Sequence, residues 1–485
     1  MSWPAAVLWA MIIAAAFSRG PWLIYIMFAS GAFGMLQMAP GDGGGLNVLP
    51  QAACAAVFVL KVLSQPGNIP RAVDAALDPY RIGLLTAFTL YGVIGSYCLP
   101  RLFAELAYVV PVSSDVVGGT EVLRPSKGNI TQSCYLLLSY GTTLAFCIIG
   151  ATKEFRRHYA LANLYAGMTI IITGMMDAVL YSVGLSDLLT PFRTATYVLI
   201  SEAEIEGVKR VIGLMSEASA YGGLCIGTGG ALIFLLPFFH KGRESLVAAA
   251  TAMLLLVMGV LSTSSGAYVG FAILCGIYGV HMLVRLASRD DREARRSRIE
   301  LGLLSAAGLI VLGAFIVQPS LFDFAFDMVD KLVFQKSVTA SYIERTSWTR
   351  AGWEAFLDSG TMGVGIGSIR VSNWSVSILG STGLFGALLM FGFLVQQLVF
   401  KPRKASPEVQ RYNTAVQLSL LPLLAIAQLS ATMPDLGVSV AAALGVLAAP
   451  RRAREHPQQV VSDAQSERDR QVVPSQLSDR STAFG

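Results

Sequence analysis

The chain has 485 residues, of which 54% are hydrophobic and only 14% are charged, and its formal net charge is +5. A soluble chain of this length carries roughly a quarter charged residues, so the composition excludes an ordinary soluble domain and is typical of a polytopic helical membrane protein. The basic residues lie in short clusters between apolar runs. That pattern fixes membrane topology and does not indicate nucleic-acid binding.

About thirteen apolar runs approach the ~20 residues that an α-helix needs to cross a bilayer. Because the first run is short, the sequence predicts an all-α polytopic integral membrane protein with about 12–13 transmembrane helices. The runs cover residues 4–17, 22–39, 46–63, 82–100, 131–150, 160–184, 218–239, 245–261, 266–285, 300–318, 374–400, 413–430 and 435–449.

The basic clusters predict the topology. If all of them face the cytoplasm, the number of spans between successive clusters is even each time. This arrangement predicts one transmembrane domain over residues 1–454 and a disordered cytoplasmic tail over 455–485, which is rich in Gln, Ser, Asp and Arg. It leaves four segments outside: 101–130, 185–217, the tight turn 262–266 and the large loop 319–373.

The outer segments differ in their predicted structure. Residues 101–130 contain several glycines and prolines and are predicted to be an irregular loop, whereas 201–217 is predicted to be a short helix that leads into the next span. Residues 321–333 place Asp323, Asp327 and Asp330 on one helical face. Three carboxylates at this spacing suit a cation site, but an amphipathic helix with its acids in water is the favoured interpretation, so no metal site is predicted.

The large loop contains the polar segment 341–367, S-Y-I-E-R-T-S-W-T-R-A-G-W-E-A-F-L-D-S-G-T-M-G-V-G-I-G. Arginines beside aromatic residues suit a substrate that carries phosphate on one part and sugar on another. The candidate residues for binding such a substrate are Arg345, Trp348, Arg350, Trp353 and, just after the segment, Arg370.

The predicted topology brings these residues to the same side as Lys209, Arg210, Glu217 and the serine-rich turn that contains Ser264. Positive charges from several segments above a helical bundle favour an anionic head group whose tail stays in lipid. Each feature also has a local explanation. Arg210 lies four residues after Glu206, Arg350 lies four residues before Glu354, and Glu217 suits a helix N-terminus.

A family resemblance adds to this interpretation. The string K-R-V-I-G-L-M-S-E-A-S-A-Y at 209–221 is followed by L-S-T-S-S-G at 261–266. R-T-S-W-T-R-A-G-W-E-A-F, G-V-G-I-G-S, S-N-W and G-S-T-G-L-F-G then follow in the same order. Together these strings resemble the O-antigen ligase and polysaccharide polymerase superfamily over roughly residues 205–395. Within it, the chain is most similar to the Wzy-like exopolysaccharide polymerases.

The resemblance implies a membrane-embedded glycosyltransferase of the GT-C type in the bacterial inner membrane, with its active site facing the periplasm. Such an enzyme joins undecaprenyl-diphosphate-linked oligosaccharide repeat units into exopolysaccharide or O-antigen. By the same resemblance, Arg210 and Arg345 or Arg350 hold the diphosphate. No cofactor is expected. The implied partners are the lipid-linked oligosaccharide, the bilayer, and a chain-length regulator and a flippase of the same pathway.

The chain departs from the family pattern at two places. Ser372-Asn373 stands where ligases commonly carry His-Asn, which leaves Asn373 as a substrate-binding candidate, and Ser264-Ser265-Gly266 stands where many members carry Ser-Arg-Gly. The four histidines, His158, His240, His281 and His456, all lie on the predicted cytoplasmic side. A general base must then be a carboxylate, with Glu217 the first candidate and Glu344 the second.

Two alternative functions stay open. An O-antigen ligase would use the same donor but transfer the glycan to lipid A core or to a protein. A flippase or other transporter belongs to a different class and would bury ionisable residues near the bilayer midplane and contain paired broken helices. The one clear charge within a predicted span is Asp177, near its outer end, where pairing with a neighbouring segment is the simpler explanation. An arginine-based site predicts a metal-independent enzyme.

Overall fold

In the computed structural model, the chain forms a bundle of α-helices joined by loops and two small β-hairpins. The structure describes residues 1–39, 47–112, 119–196, 204–205, 208–288, 340–399, 406–435 and 437–449, with scattered positions between 295 and 316. We number the helices α1 Trp3–Phe17, α2 Trp22–Ala29, α3 Pro50–Leu63, α4 Asn68–Leu77, α5 Gly83–Leu102, α6 Lys127–Ile149, α7 Lys153–Ser182, α8 Ala218–Leu235, α9 Arg243–Leu261, α10 Ser265–Leu286, α11 Ala340–Asp358, α12 Trp374–Val399, α13 Pro407–Ser430 and α14 Val438–Ala448.

Eight helices of the described part are long and apolar enough to cross a membrane, namely α5 to α10, α12 and α13. The pair α3 and α4 adds a ninth span if it is counted as one, although the two helices are bent by 108°. Three further apolar helices are shorter: α1, α14 and α2 together with the 3₁₀ turn that continues it to Ala32. The prediction of an all-α polytopic membrane protein is therefore confirmed. The predicted total of 12–13 spans stays a prediction.

Several predicted features lie outside the described residues. They are the apolar run 300–318, most of which is not described, the aspartate face at 321–333, and the tail 455–485. The structure therefore bears on neither the cation site at Asp323, Asp327 and Asp330 nor the disorder of the tail.

Two local predictions were wrong. In the described part of 201–217, Glu204–Ile205 and Val208–Lys209 pair as an antiparallel hairpin and not as a helix. The following turn at Gly213 has φ +57°. Its N–H donates to Asp177 Oδ2 and its carbonyl accepts from Arg193 Nη2, tertiary bonds that helical propensity does not take into account. The second segment, 101–130, contains a short hairpin of Tyr108–Val109 with Glu121–Val122, and α6 begins within it.

Helix α11 lies inside the large loop, where the sequence did not predict a helix. Its apolar face packs on the Tyr108–Val109 hairpin and forms a second, smaller core beside the bundle. This core consists of Ala107, Val109, Leu123, Ala355, Val364, Ile369 and Val371. The hairpin and the large loop therefore support each other outside the helical bundle.

Helix α12 is broken near its start, where Gly383 has φ +65° and ψ −169°. The glycine-rich stretch before α12 fills the break with backbone hydrogen bonds. Val364 N–H donates to Gly380 O at 2.8 Å, and Leu384 N–H donates to Thr361 O at 2.9 Å. Gly365 has φ +93°, and a Cβ there would lie 2.8 Å from Pro100. The G-V-G-I-G string thus satisfies the open backbone groups of a broken helix and anchors the end of the large loop.

Candidate functional site

Helices α8, α10 and α12 begin, and α7, α9 and α13 end, on the same side of the bundle, which we call the site end. Contacts between the connecting segments show this arrangement. Arg210 bonds Thr263 in the turn between α9 and α10, and Arg345 of α11 lies 3.5 Å from Glu217 at the start of α8. Asn373 at the start of α12 donates to the carbonyl of Gln428 near the end of α13 at 2.9 Å.

Arg210 is fixed by the tight turn between α9 and α10. Its Nε donates to Thr263 Oγ1 at 3.1 Å and its Nη2 donates to Thr263 O at 3.2 Å. Thr263 is buried and has φ +48°, which is rare for a β-branched residue and costs on the order of 1–3 kcal/mol. Backbone strain of this kind concentrates at functional sites, and here it aims the carbonyl that orients the Arg210 guanidinium.

Glu217 lies immediately before α8 and faces Arg345. The Arg345 Nη2 to Glu217 Oε1 distance is 3.5 Å, and the two side chains are 26% and 37% exposed. Ser219 Oγ also donates to Glu217 Oε1. The carboxylate is therefore held between a cation and a hydroxyl, in a position that solvent still reaches.

Arg370 completes a group that we call the arginine cluster: Arg210, Arg345 and Arg370 with the carboxylates of Glu217 and Glu344. The guanidinium carbon of Arg370 lies 4.2 Å from the centre of the Trp348 ring, a cation–π contact. Its backbone N–H donates to Val110 O at 2.7 Å, which ties it to the hairpin outside the bundle. Trp348 lies one helical turn after Arg345 on α11, so both side chains reach the same side of that helix.

The cluster is an under-neutralised cationic site. Three guanidiniums face two carboxylates, which leaves one net positive charge. Burial lowers the pKa of Arg210, with the nearby charge of Glu217 opposing this and that of Arg345 adding to it. Burial likewise lowers the pKa of Arg370, against the influence of Glu344 and Glu217. Guanidiniums stay protonated in proteins, so a partly desolvated cluster of this kind favours a multiply charged anion.

A cleft of about 250 Å³ opens beside the cluster, between α8, α13 and α14. Ser219, which bonds Glu217, lines it, so the cleft and the cluster share a wall. Its other polar lining residues, Ser430 and Asp435, lie at or beyond the end of α13. The apolar residues that line the cleft include Leu423 and Ala427, which precede Ser430 on α13 and lie further from the site end. The cleft is therefore polar at the site end and apolar toward the inside of the bundle.

Two candidates on α11 do not join the cluster. Arg350 is 81% exposed and its Nε lies 2.9 Å from Glu354 Oε1, as the i,i+4 spacing predicts. Trp353 is exposed and contacts Phe356, with ring centres 5.3 Å apart. Positions 345 and 350 differ by about 140° around a helix of 3.6 residues per turn, so the two arginines point to different sides.

Three other candidates have structural partners. Lys209 Nζ lies 2.8 Å from Asp177 Oδ1 in the interior, away from the Arg210 contacts. Ser264 is buried just before α10 and its carbonyl accepts from the N–H of Tyr268 at 3.0 Å. Asn373 caps α12, because its Oδ1 accepts from Val376 N–H at 3.0 Å.

Sequence reasoning missed two features of the site. Tyr268, one turn into α10, is an electrostatic neighbour of Arg210, but an isolated tyrosine in an apolar run gives no signal of this. Arg193, in the segment that follows α7, bonds Asp177 at 3.0 Å. The sequence indicated that Asp177 has a partner, because a charged residue within a span usually pairs with another charge, but it did not identify Arg193.

The comparison with protein-family models gives no match, and the comparison with curated proteins gives none either. Function is therefore inferred from the chemistry of the cluster and the cleft, together with the resemblance described above.

Proposed function

We propose that this protein is a membrane glycosyltransferase that polymerises undecaprenyl-diphosphate-linked oligosaccharide units on the periplasmic face of the bacterial inner membrane. The observation that carries the proposal is the arginine cluster at one wall of an apolar cleft. An anionic head group with a hydrocarbon tail satisfies both sites at once.

A diphosphate suits the cluster by charge and by geometry. A guanidinium holds phosphate oxygens through two parallel N–H donors, and Arg210 and Arg370 are already held in fixed positions by Thr263 and by the contacts with Val110 and Trp348. The cleft accepts the first part of the lipid tail, since Ser219 lies at the boundary between the two sites.

The proposed reaction is a displacement at the anomeric carbon. The hydroxyl oxygen of an incoming lipid-linked unit bonds to the anomeric carbon of the growing chain. The bond from that carbon to the diphosphate breaks and its electron pair leaves on the diphosphate oxygen, where the arginines stabilise the charge. The hydroxyl proton passes to the Glu217 carboxylate, whose contacts with Ser219 and Arg345 are both made by Oε1.

Arg345 links substrate binding to this step. In the structure its guanidinium contacts Glu217, the proposed base. A bound diphosphate carries more negative charge than one carboxylate and draws Arg345 toward itself. The swap leaves Glu217 without its cation at the moment when it accepts a proton.

A transporter is the second candidate, because α12 is broken and α3 and α4 meet at a sharp bend, as transporter helices often do. The break in α12 is filled by the backbone of residues 361–365, which leaves the hydrogen bonds of Gly380 and Leu384 satisfied by protein. The arginine cluster explains more of the site, so polymerisation remains the proposal.

The test is an analysis of lipid-linked glycans in a strain that lacks the protein. A polymerase predicts single repeat units on the lipid carrier and no long chains. Accumulated long lipid-linked polymer would instead identify a ligase. Repeat units confined to the cytoplasmic leaflet would identify a flippase.

A further inference from the structure

Asp177 is a buried ionisable residue whose two carboxylate oxygens are both hydrogen-bonded. It lies near the end of α7 and its side chain is 1% exposed. Oδ1 accepts from Arg193 Nη2 at 3.0 Å and from Lys209 Nζ at 2.8 Å. Oδ2 accepts from the backbone N–H groups of Ile212 and Gly213 at 3.0 and 3.2 Å. Four donors therefore converge on one carboxylate, one from Arg193 and three from the segment 209–213.

From these contacts we infer that Asp177 is a positioning residue for Arg210. Lys209 and Ile212 flank Arg210 on both sides, and each is bonded to Asp177. Between them, Val211 N–H donates to Leu261 O at 3.4 Å, beside the turn that holds the guanidinium. Asp177 thus fixes the backbone from which Arg210 reaches Thr263.

The register of the strand explains why this matters for charge placement. Successive side chains of an extended chain point to opposite sides, so Lys209 and Arg210 leave the segment in different directions. Lys209 enters the bundle toward Asp177 and lies 4.3 Å from the Tyr181 ring, while Arg210 reaches the α9–α10 turn. A shift by one residue would place either Val211 or Lys209 at the position of Arg210, so that no guanidinium would reach the turn. The buried carboxylate selects the register that delivers a guanidinium to the site.

A purely stabilising role is a weaker explanation of the ion pairs at Asp177. Taking an aspartate and two cations out of water costs several kcal/mol for each ion, and apolar side chains often stabilise such positions equally well. The ion pairs at Asp177 also leave one positive charge in excess, since one carboxylate faces both Arg193 and Lys209. What the charged residues add is specificity, because this register places Lys209 Nζ 2.8 Å from Oδ1 while the N–H groups of Ile212 and Gly213 bond Oδ2.

The test combines a binding assay with a measurement that needs no ligand, and the inference rests on the proposed function only for the first. Farnesyl diphosphate serves as a soluble isoprenoid diphosphate probe for the purified full-length protein. We expect Asp177→Asn and Arg210→Lys each to weaken binding by about tenfold or more, and the double variant to be no weaker than the poorer single variant. Multiplied losses in the double variant would overturn the inference.

Amide hydrogen exchange supplies the measurement without ligand. We expect Asp177→Asn to accelerate exchange in the peptide that covers residues 208–215, with little change in α9 or α13. Unchanged exchange there would overturn the inference even if the probe does not bind, whereas failure of the wild-type protein to bind the probe would refute the proposed function alone.

Two further variants guard against a folding defect. Asp187→Asn removes the same charge from an exposed position after α7 and should leave both measurements unchanged. Lys209→Met keeps the ion pair of Asp177 with Arg193 and removes only the ion pair between Asp177 and the strand. It should accelerate exchange at 208–215 and weaken probe binding while the protein elutes as a single peak. Normal exchange and normal binding in this variant would contradict the inference.

Discussion

Replacing Arg210 by lysine tests the site most directly. Nε and Nη2 of Arg210 bond Thr263 at 3.1 and 3.2 Å, and the rest of the guanidinium is left for the substrate. An ammonium keeps the charge but cannot bond the turn and a diphosphate in the same fork geometry. One charge-assisted hydrogen bond contributes roughly 1.5–3 kcal/mol, so we expect polymerisation to fall on the order of 10- to 100-fold.

The assay is the rate at which purified protein extends lipid-linked repeat units, with chain length read on gels. Arg350→Lys is the matched control, because it makes the same change on an exposed side chain that contacts Glu354. We expect the control to stay within about twofold of wild type. Near-normal polymer from Arg210→Lys, or a large loss from Arg350→Lys, would refute the site as described.

Three further results are expected. Glu217→Gln keeps the bond from Ser219 but removes the base, so turnover should fall by about 10²- to 10⁴-fold while diphosphate affinity is kept, and unchanged turnover would exclude this base. Gly383→Ala should destabilise the fold by about 3 kcal/mol or more and lower the thermal unfolding midpoint, because its Cβ would lie 2.4 Å from Thr361 O. Gly276→Ala is the control, because a Cβ there would have no described atom within 4 Å, and it should leave the midpoint unchanged. Activity should survive EDTA, and loss on chelation with recovery on adding Mg²⁺ would redirect attention to Asp323, Asp327 and Asp330.

Much of the bundle was predictable because a span is a local property of the sequence. The apolar runs over 218–239 and 245–261 correspond closely to α8 and α9, since about 20 apolar residues in a row have few other stable conformations in a bilayer. Counting spans between the basic clusters predicted that Arg210, Arg345 and Arg370 lie on the same side of the membrane. The same count gave no distances and could not say which arginines meet.

The finer details of the site depend on tertiary contacts. Arg345 and Arg350 look alike as sequence, and only helix α11, which was not predicted, separates their directions. Lys209 and Arg210 are adjacent, and their different roles follow from a strand register that Asp177 fixes from a distant helix. The predicted helix over 201–217 was wrong because a local hairpin forms at 204–209 and the N–H groups of Ile212 and Gly213 bond Asp177 on α7.

The three arginines of the cluster are held in different ways, and this difference gives them different roles. Arg210 is bonded to a strained, buried turn, and Arg370 is fixed by its backbone bond to Val110 and by the Trp348 ring. Among the described residues, Arg345 makes one ion pair, with Glu217 at 3.5 Å, and its side chain is partly exposed to water. Partly exposed ion pairs of this kind contribute little stability, so exchanging one costs little. We therefore propose that Arg210 and Arg370 form a preorganised anion-binding site and that Arg345 moves between Glu217 and a bound diphosphate.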